Sequence, residues 1–135
     1  MKKLLSISYS PLAFNIAMLV LRVGGGILMM SHGYSKLVNF QKIAPDFMNF
    51  LGMGGSVSLA LVVFAEFFCA IFIILGLFTR FAAIPLVIDM AIAVSEGHQM
   101  KIFTEGEKAA LFFLIFFVLL LVGPGRVSVD GMMKK

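Results

Sequence analysis

The 135-residue chain is poor in charge and in cysteine. Only 13% of its residues are charged while 61% are hydrophobic, and so few ionic side chains cannot cover a water-soluble fold. A single cysteine, Cys69, excludes a disulfide framework, a CxxC redox pair and a cysteine zinc cluster. Any thiol chemistry must then come from a partner. Neither histidine stands in a CxxCH, HExxH or other ligand spacing, so neither metal nor haem is expected. The net charge of +4 is scattered over short loops. That pattern argues against nucleic-acid binding and reads as membrane topology with anionic-lipid contact.

What the sequence has instead is long apolar runs. A bilayer crossing takes roughly 20 predominantly apolar residues, and four runs approach that length: Pro11–Ser31, Ser56–Leu77, Arg80–Ser95 and Glu107–Val122. The last two have 16 residues each, so they need a turn from their flanks or a thinned bilayer. Open strand edges do not persist in hydrocarbon, and a barrel would show short alternating segments. The runs therefore predict an all-α membrane protein: transmembrane helices at about 11–31, 56–77, 80–96 and 105–122, bundled in one domain over 1–135. No cleavable signal is expected, because Arg22 interrupts the first run and no small-residue cleavage pattern follows it.

Local punctuation agrees with these boundaries. Ser10-Pro11 places an N-cap before a proline at the first helical position, and Thr104-Glu105-Gly106-Glu107 reads as a capping box. Gly76-Leu77-Phe78-Thr79 is a tight turn with Thr79 as cap, which makes the second and third helices antiparallel neighbours. Gly123-Pro124-Gly125 ends the fourth. Between the first two spans, apolar positions from Leu37 to Leu51 recur at helical spacing around Lys42, Asp46 and Asn49. They predict an amphipathic interfacial helix, either a passive anchor or a lid over a cavity. Gly24-Gly25-Gly26 favours close helix packing, with a π-bulge there as the alternative.

Charges at mid-membrane depth carry the chemical information. Counting about 1.5 Å per residue, Arg22, Glu66 and Asp89 lie roughly 16, 15 and 13 Å from the starts of their spans. An ionised side chain facing lipid there costs at least about 2.5 kcal/mol, so the three are expected to turn inward and meet. One cation and two carboxyls balance only if one carboxyl keeps its proton, the condition for a proton donor or acceptor. The other reading is a structural network that locks three helices together. A second constellation collects at the outer mouth: His32 and Lys36 after the first span, Glu96 and His98 after the third, Glu105 and Glu107 before the fourth. These residues either cap helix ends or bind the polar head of a small hydrophobic molecule such as a quinone, with His32, Lys36, His98 and Glu107 as ligands.

Read in order, Leu21-Arg22, Gly25-Gly26, Ser31-His32-Gly33-Tyr34-Ser35-Lys36-Leu37, Glu66, Leu75-Gly76-Leu77-Phe78-Thr79-Arg80, Gly106-Glu107 and Gly123-Pro124-Gly125-Arg126-Val127-Ser128-Val129-Asp130 resemble the DoxX family over about residues 17 to 131. That family is similar to the small membrane subunits, DoxD and DoxA, of archaeal thiosulfate:quinone oxidoreductase. The resemblance implies membrane redox work with quinone, alongside an oxidoreductase handling thiosulfate, thiols or oxidative stress. Three functions follow from the residues: a quinone-linked subunit, a scaffold docking a soluble oxidoreductase, or a small-solute transporter. Four spans without an obvious inverted repeat disfavour the last. Gly24–Gly26 and the short helices suit a homo-oligomer.

The lysines and arginines flanking the spans set an orientation. Lys2, Lys3, Arg80, Arg126, Lys134 and Lys135 fall on one side and Lys36, Lys42, Lys101 and Lys108 on the other, which places both termini in the cytoplasm of an inner-membrane protein. With Cys69 replaced by serine, cysteines at positions 3 and 133 should be shielded from an impermeant thiol reagent in intact cells, and one at position 98 should react. Labelling of position 98 only after permeabilisation would reverse the orientation.

Overall fold

The computed structural model describes residues 4–47, 52–97 and 107–133, all in helices, turns and extended connections with no strand. Ser10 Oγ accepts the Ala13 N–H at 3.1 Å and Pro11 occupies the first turn, so α1 (Pro11–Val38) begins where the residue types predict. It does not stop at Ser31. No proline interrupts residues 32–38, and the helix continues to Val38, 28 residues in all, which puts His32 and Lys36 on α1 itself rather than in a loop after it.

The predicted interfacial helix is shorter than its periodicity suggests. Pro45, which has no N–H to give, falls inside it, and the chain makes one α-turn, α2 (Phe40–Ile43), and a 3-10 turn over Ala44–Asp46. Residues 48–51 lie outside the described residues. The turns dock inward: Ala44 is buried with Leu59 and Val63, under Phe40, Ile43, Phe47 and Phe67. Gly55 makes this possible, since a side chain there would run into the Ala44 carbonyl.

Helix α3 (Gly55–Leu75) includes a π-helical stretch at Phe64–Cys69 and ends on Gly76 in the left-handed conformation, φ 72°. The predicted turn follows, and α4 (Thr79–Ile92) returns antiparallel and continues through a π-turn at Ala93–Gly97. Thr79 is not its cap. Phe78 takes that place with φ 49°, and the Asp130 carboxylate accepts the N–H groups of Phe78 and Thr79 at 2.7 and 2.9 Å. The predicted capping box at 104–107 falls mostly outside the described residues. Helix α5 (Glu107–Val122) is stopped by Gly123, φ 93°, as its glycines predict, and a short α6 (Val129–Met133) follows.

The four long helices pack in a ring: α1 against α3, α3 against α4, α4 against α5, and α5 back on α1. Met29, Ile73, Leu86, Phe116 and Leu119 fill the middle. The outer faces stay apolar, as at Val20, Phe64, Ile88 and Leu114, where a water-soluble bundle would be polar. Among the described residues two helices, α1 and α3, are long and apolar enough to cross a membrane.

Glycine sets the closest approaches. Gly24–Gly26 are regular α-helix with no bulge, and Gly25 and Gly26 pack closely: a Cβ would stand 2.9 Å from Ile115 Cγ2 at Gly25 and 2.6 Å from Ile74 Cγ1 at Gly26. At Gly33 a Cβ would meet the backbone of Glu66 and Phe67 at 2.5–2.7 Å, and backbone cannot yield as a side chain does. Gly33→Ala should therefore lose about 1–3 kcal/mol in detergent unfolding, the usual cost of overpacking. Gly24→Ala, with nothing within 4 Å of the new methyl, should be neutral or stabilise by up to about 1 kcal/mol. Equal effects at the two sites would contradict this packing.

Candidate functional site

Side chains on a helix lean toward its N-terminus, and α1 and α3 run in opposite directions. Residues at equal depth on the two helices therefore reach toward opposite ends of the bundle. This separates Arg22 from Glu66. Arg22 is buried and its Nη1 donates to the Pro124 carbonyl at 2.7 Å, at the end of the bundle that carries the α3–α4 turn. The three-residue unit of Arg22, Glu66 and Asp89 expected from depth alone is thus not the one that forms.

Lys36 is the cation that Glu66 finds. It sits near the far end of α1 and leans back as Glu66 leans outward, so its Nζ donates to both carboxylate oxygens at 2.7 and 2.8 Å. The Glu66 side chain is 3% exposed and that of Lys36 31%, which makes this a buried carboxylate with an ammonium at its rim. Asp89 on α4 faces the same place, against the Glu66 carboxyl and near Lys36. Its Oδ2 is buried without a hydrogen-bond partner. Glu66 lies within the π-helical stretch of α3, a distortion often found at functional sites.

These three groups end a cavity of about 440 Å³ between α3 and α4. Apart from Ser58 its other walls are apolar, among them Leu61, Phe64, Ala65, Ile84, Ile88 and Phe47 from the turn after α2, so this connection does reach over a cavity. Pro85 also lines it, where the missing N–H removes one backbone bond of α4. Leu61, Phe64, Ile84 and Ile88 are themselves 42–54% exposed on the outer face of the bundle. The cavity thus opens sideways between two helices, toward the apolar surroundings.

The other predicted ligands lie elsewhere. His32 packs edge-on against Phe112 of α5, ring centroids 5.7 Å apart. It precedes Lys36 by one turn but is offset by about 40° around α1, enough to face α5 where Lys36 faces α3. Glu107 is exposed at the start of α5 and does not line the cavity. His98 lies outside the described residues. Sequence reasoning missed the Lys36–Glu66 pairing, for which the only signal was the lack of a proline between Ser31 and Val38. It also missed the capping role of Asp130, which no spacing announces across 51 residues.

An all-helical fold with an apolar exterior, a buried ion pair and a laterally open apolar cavity defines a helical membrane protein. A profile of the DoxX family matches residues 17–99. The chain belongs to the DoxX family. It is also similar to an uncharacterized membrane protein of Mycobacterium tuberculosis, 29% identical over 136 residues that cover 88% of this chain and 82% of the relative. No solved structure matches it.

The geometry predicts which charges are coupled. Lys36→Met leaves Glu66 buried without its cation and should cost about 3–5 kcal/mol, as breaking a buried pair does. Adding Glu66→Gln should recover part of that loss, with a coupling above about 0.5 kcal/mol in a double-mutant cycle. Arg22→Met combined with Glu66→Gln should be additive. The reverse pattern would restore the Arg22 unit.

Proposed function

We propose that the chain is the integral membrane subunit of a quinone-linked redox system, holding a quinone-like molecule in the cavity between α3 and α4 and handling protons there. The observation that carries this reading is the pairing of a polar end, Lys36, Glu66 and Asp89, with an apolar body that opens to the side. A ligand with one polar head and a hydrocarbon tail fits that polarity, and the volume falls within the usual range for small-molecule sites. Such a ligand reaches the site from the bilayer without crossing water.

A quinone, when bound, supplies two-electron and two-proton redox chemistry. The chain's own residues do the rest. An ammonium has three donors, and Lys36 spends two on Glu66, so the third can hold a carbonyl oxygen of the head group. Asp89 Oδ2, buried and unpartnered, accepts from a hydroxyl. Two adjacent carboxyls beside one ammonium balance their charge by sharing one proton, and that proton is the one exchanged with the ligand. Phe47 covers the head from the α2 side and limits water.

In this reading α4 with its π-turn and α5 also cross the bilayer, giving four spans of the inner membrane with both termini cytoplasmic. Electrons come from a partner oxidoreductase acting on thiosulfate or thiols, since Cys69 is buried alone in the core. The chain forms homo-oligomers around its exposed apolar faces. The test is protein purified in mild detergent and extracted for quinone, and then titrated with a short-chain quinone. Wild type should retain or bind the quinone, and Asp89→Asn and Lys36→Met should weaken it at least about tenfold, the effect of about 1.4 kcal/mol. Absence of binding to wild type, or equal binding by all three proteins, would leave the scaffold reading in its place.

A further inference from the structure

The opposite end of the bundle holds a second cavity, about 650 Å³, between the start of α4 and the segment after α5. Arg80 and Arg126 both line it. Among the described residues neither guanidinium has a carboxylate partner, the one ion pair being Lys36–Glu66. Asp130, the acid in this cavity, has both oxygens committed to the Phe78 and Thr79 N–H groups. Thr79 is fully buried in the wall, and its Oγ1 has no hydrogen-bond partner.

The fold holds the cations in place. Gly123 has a φ of 93°, and the Arg80 guanidinium lies beside it, with Nε and Nη2 3.4 Å from where a Cβ would stand. The guanidinium is held over the end of α5 by Nη2, which donates to the Val122 carbonyl at 3.2 Å. Arg126 is anchored through its backbone N–H, which donates to Asn15 Oδ1 at 2.8 Å, leaving its guanidinium uncommitted. Beside them stand Phe78, Phe81 and Leu121, 53%, 74% and 63% exposed. Cations and an orphan hydroxyl thus adjoin an outward-facing apolar wall.

We propose that this cavity binds the phosphate of an anionic phospholipid. The phosphate lies between Arg80 and Arg126, whose planar donors match its oxygens. The acyl chains run along Phe78, Phe81 and Leu121. A free phosphate would satisfy the same donors but leave those rings uncovered, which is why the lipid is the assigned source. Arg22, close behind Asp130, keeps the balance of charge positive. The site is separate from the Lys36 cavity and does not depend on what binds there.

The experiment is native mass spectrometry or a fluorescence titration of the whole chain in neutral detergent, with phosphatidylglycerol, phosphatidylcholine and inorganic phosphate as probes. Phosphatidylglycerol should bind more tightly than phosphatidylcholine. Arg126→Gln, which leaves the backbone bond to Asn15 intact, should weaken it about fivefold, and Arg80→Gln with Arg126→Gln about 25-fold, as expected at about 1 kcal/mol per charge. Lys108→Gln at the other end of the bundle should change nothing. Equal affinity for both lipids, no response to Arg126→Gln, or full displacement of the lipid by millimolar phosphate would each overturn the assignment.

Discussion

Glu66 sits in the middle of a 21-residue apolar helix with 3% of its side chain exposed, and a carboxylate there is tolerable only with an ammonium on it. Much of the fold serves that pairing. Helix α1 must remain helical beyond Ser31 to carry Lys36, and Gly33 must lack a side chain so that α1 can lie against the Glu66 backbone. Once Lys36 is committed, Asp89 is left beside an already neutralised carboxylate with one oxygen unpartnered. The unpartnered Asp89 oxygen is therefore a consequence of unequal numbers: two acids and a single base.

The two ends of the bundle solve different problems. At the α3–α4 turn the orphan N–H groups of α4 and the buried Arg22 both need partners, and the segment after α5 supplies them, Asp130 for the first and the Pro124 carbonyl for the second. Asp130 N–H in turn donates to the Gly76 carbonyl at 2.8 Å. This end is tied by hydrogen bonds across distant parts of the chain. The other end is tied by the ion pair and by the docking of α2 on α3, which leaves the space between α3 and α4 less filled.

That contrast bears on function. In the proposed reading, a cavity whose polar end is fixed by a buried ion pair and whose sides are mostly apolar favours ligands with a polar head and an apolar body. Membership of the DoxX family places the chain in a membrane. In the proposed reading, the unpartnered Asp89 oxygen and the third Lys36 donor are the two contacts left for a head group.

Composition and hydropathy alone determined that the chain is all-helical and membrane-embedded, because the transfer of apolar surface and the need to satisfy backbone groups act on runs of sequence irrespective of what they pack against. The start of α1, the turn at Gly76 and the stop at Gly123 were legible for the same reason, since caps and left-handed glycines act within a few residues. Family resemblance was legible too, through short motifs in a fixed order. The partners of the buried charges were not. Depth along a span places Cα atoms, but the lean of side chains toward each helix N-terminus and the rotation of α1 decided that Glu66 meets Lys36 and that Arg22 meets Pro124. Only the tertiary structure decides such pairings, because they depend on how antiparallel helices face one another, a relation that no local spacing encodes.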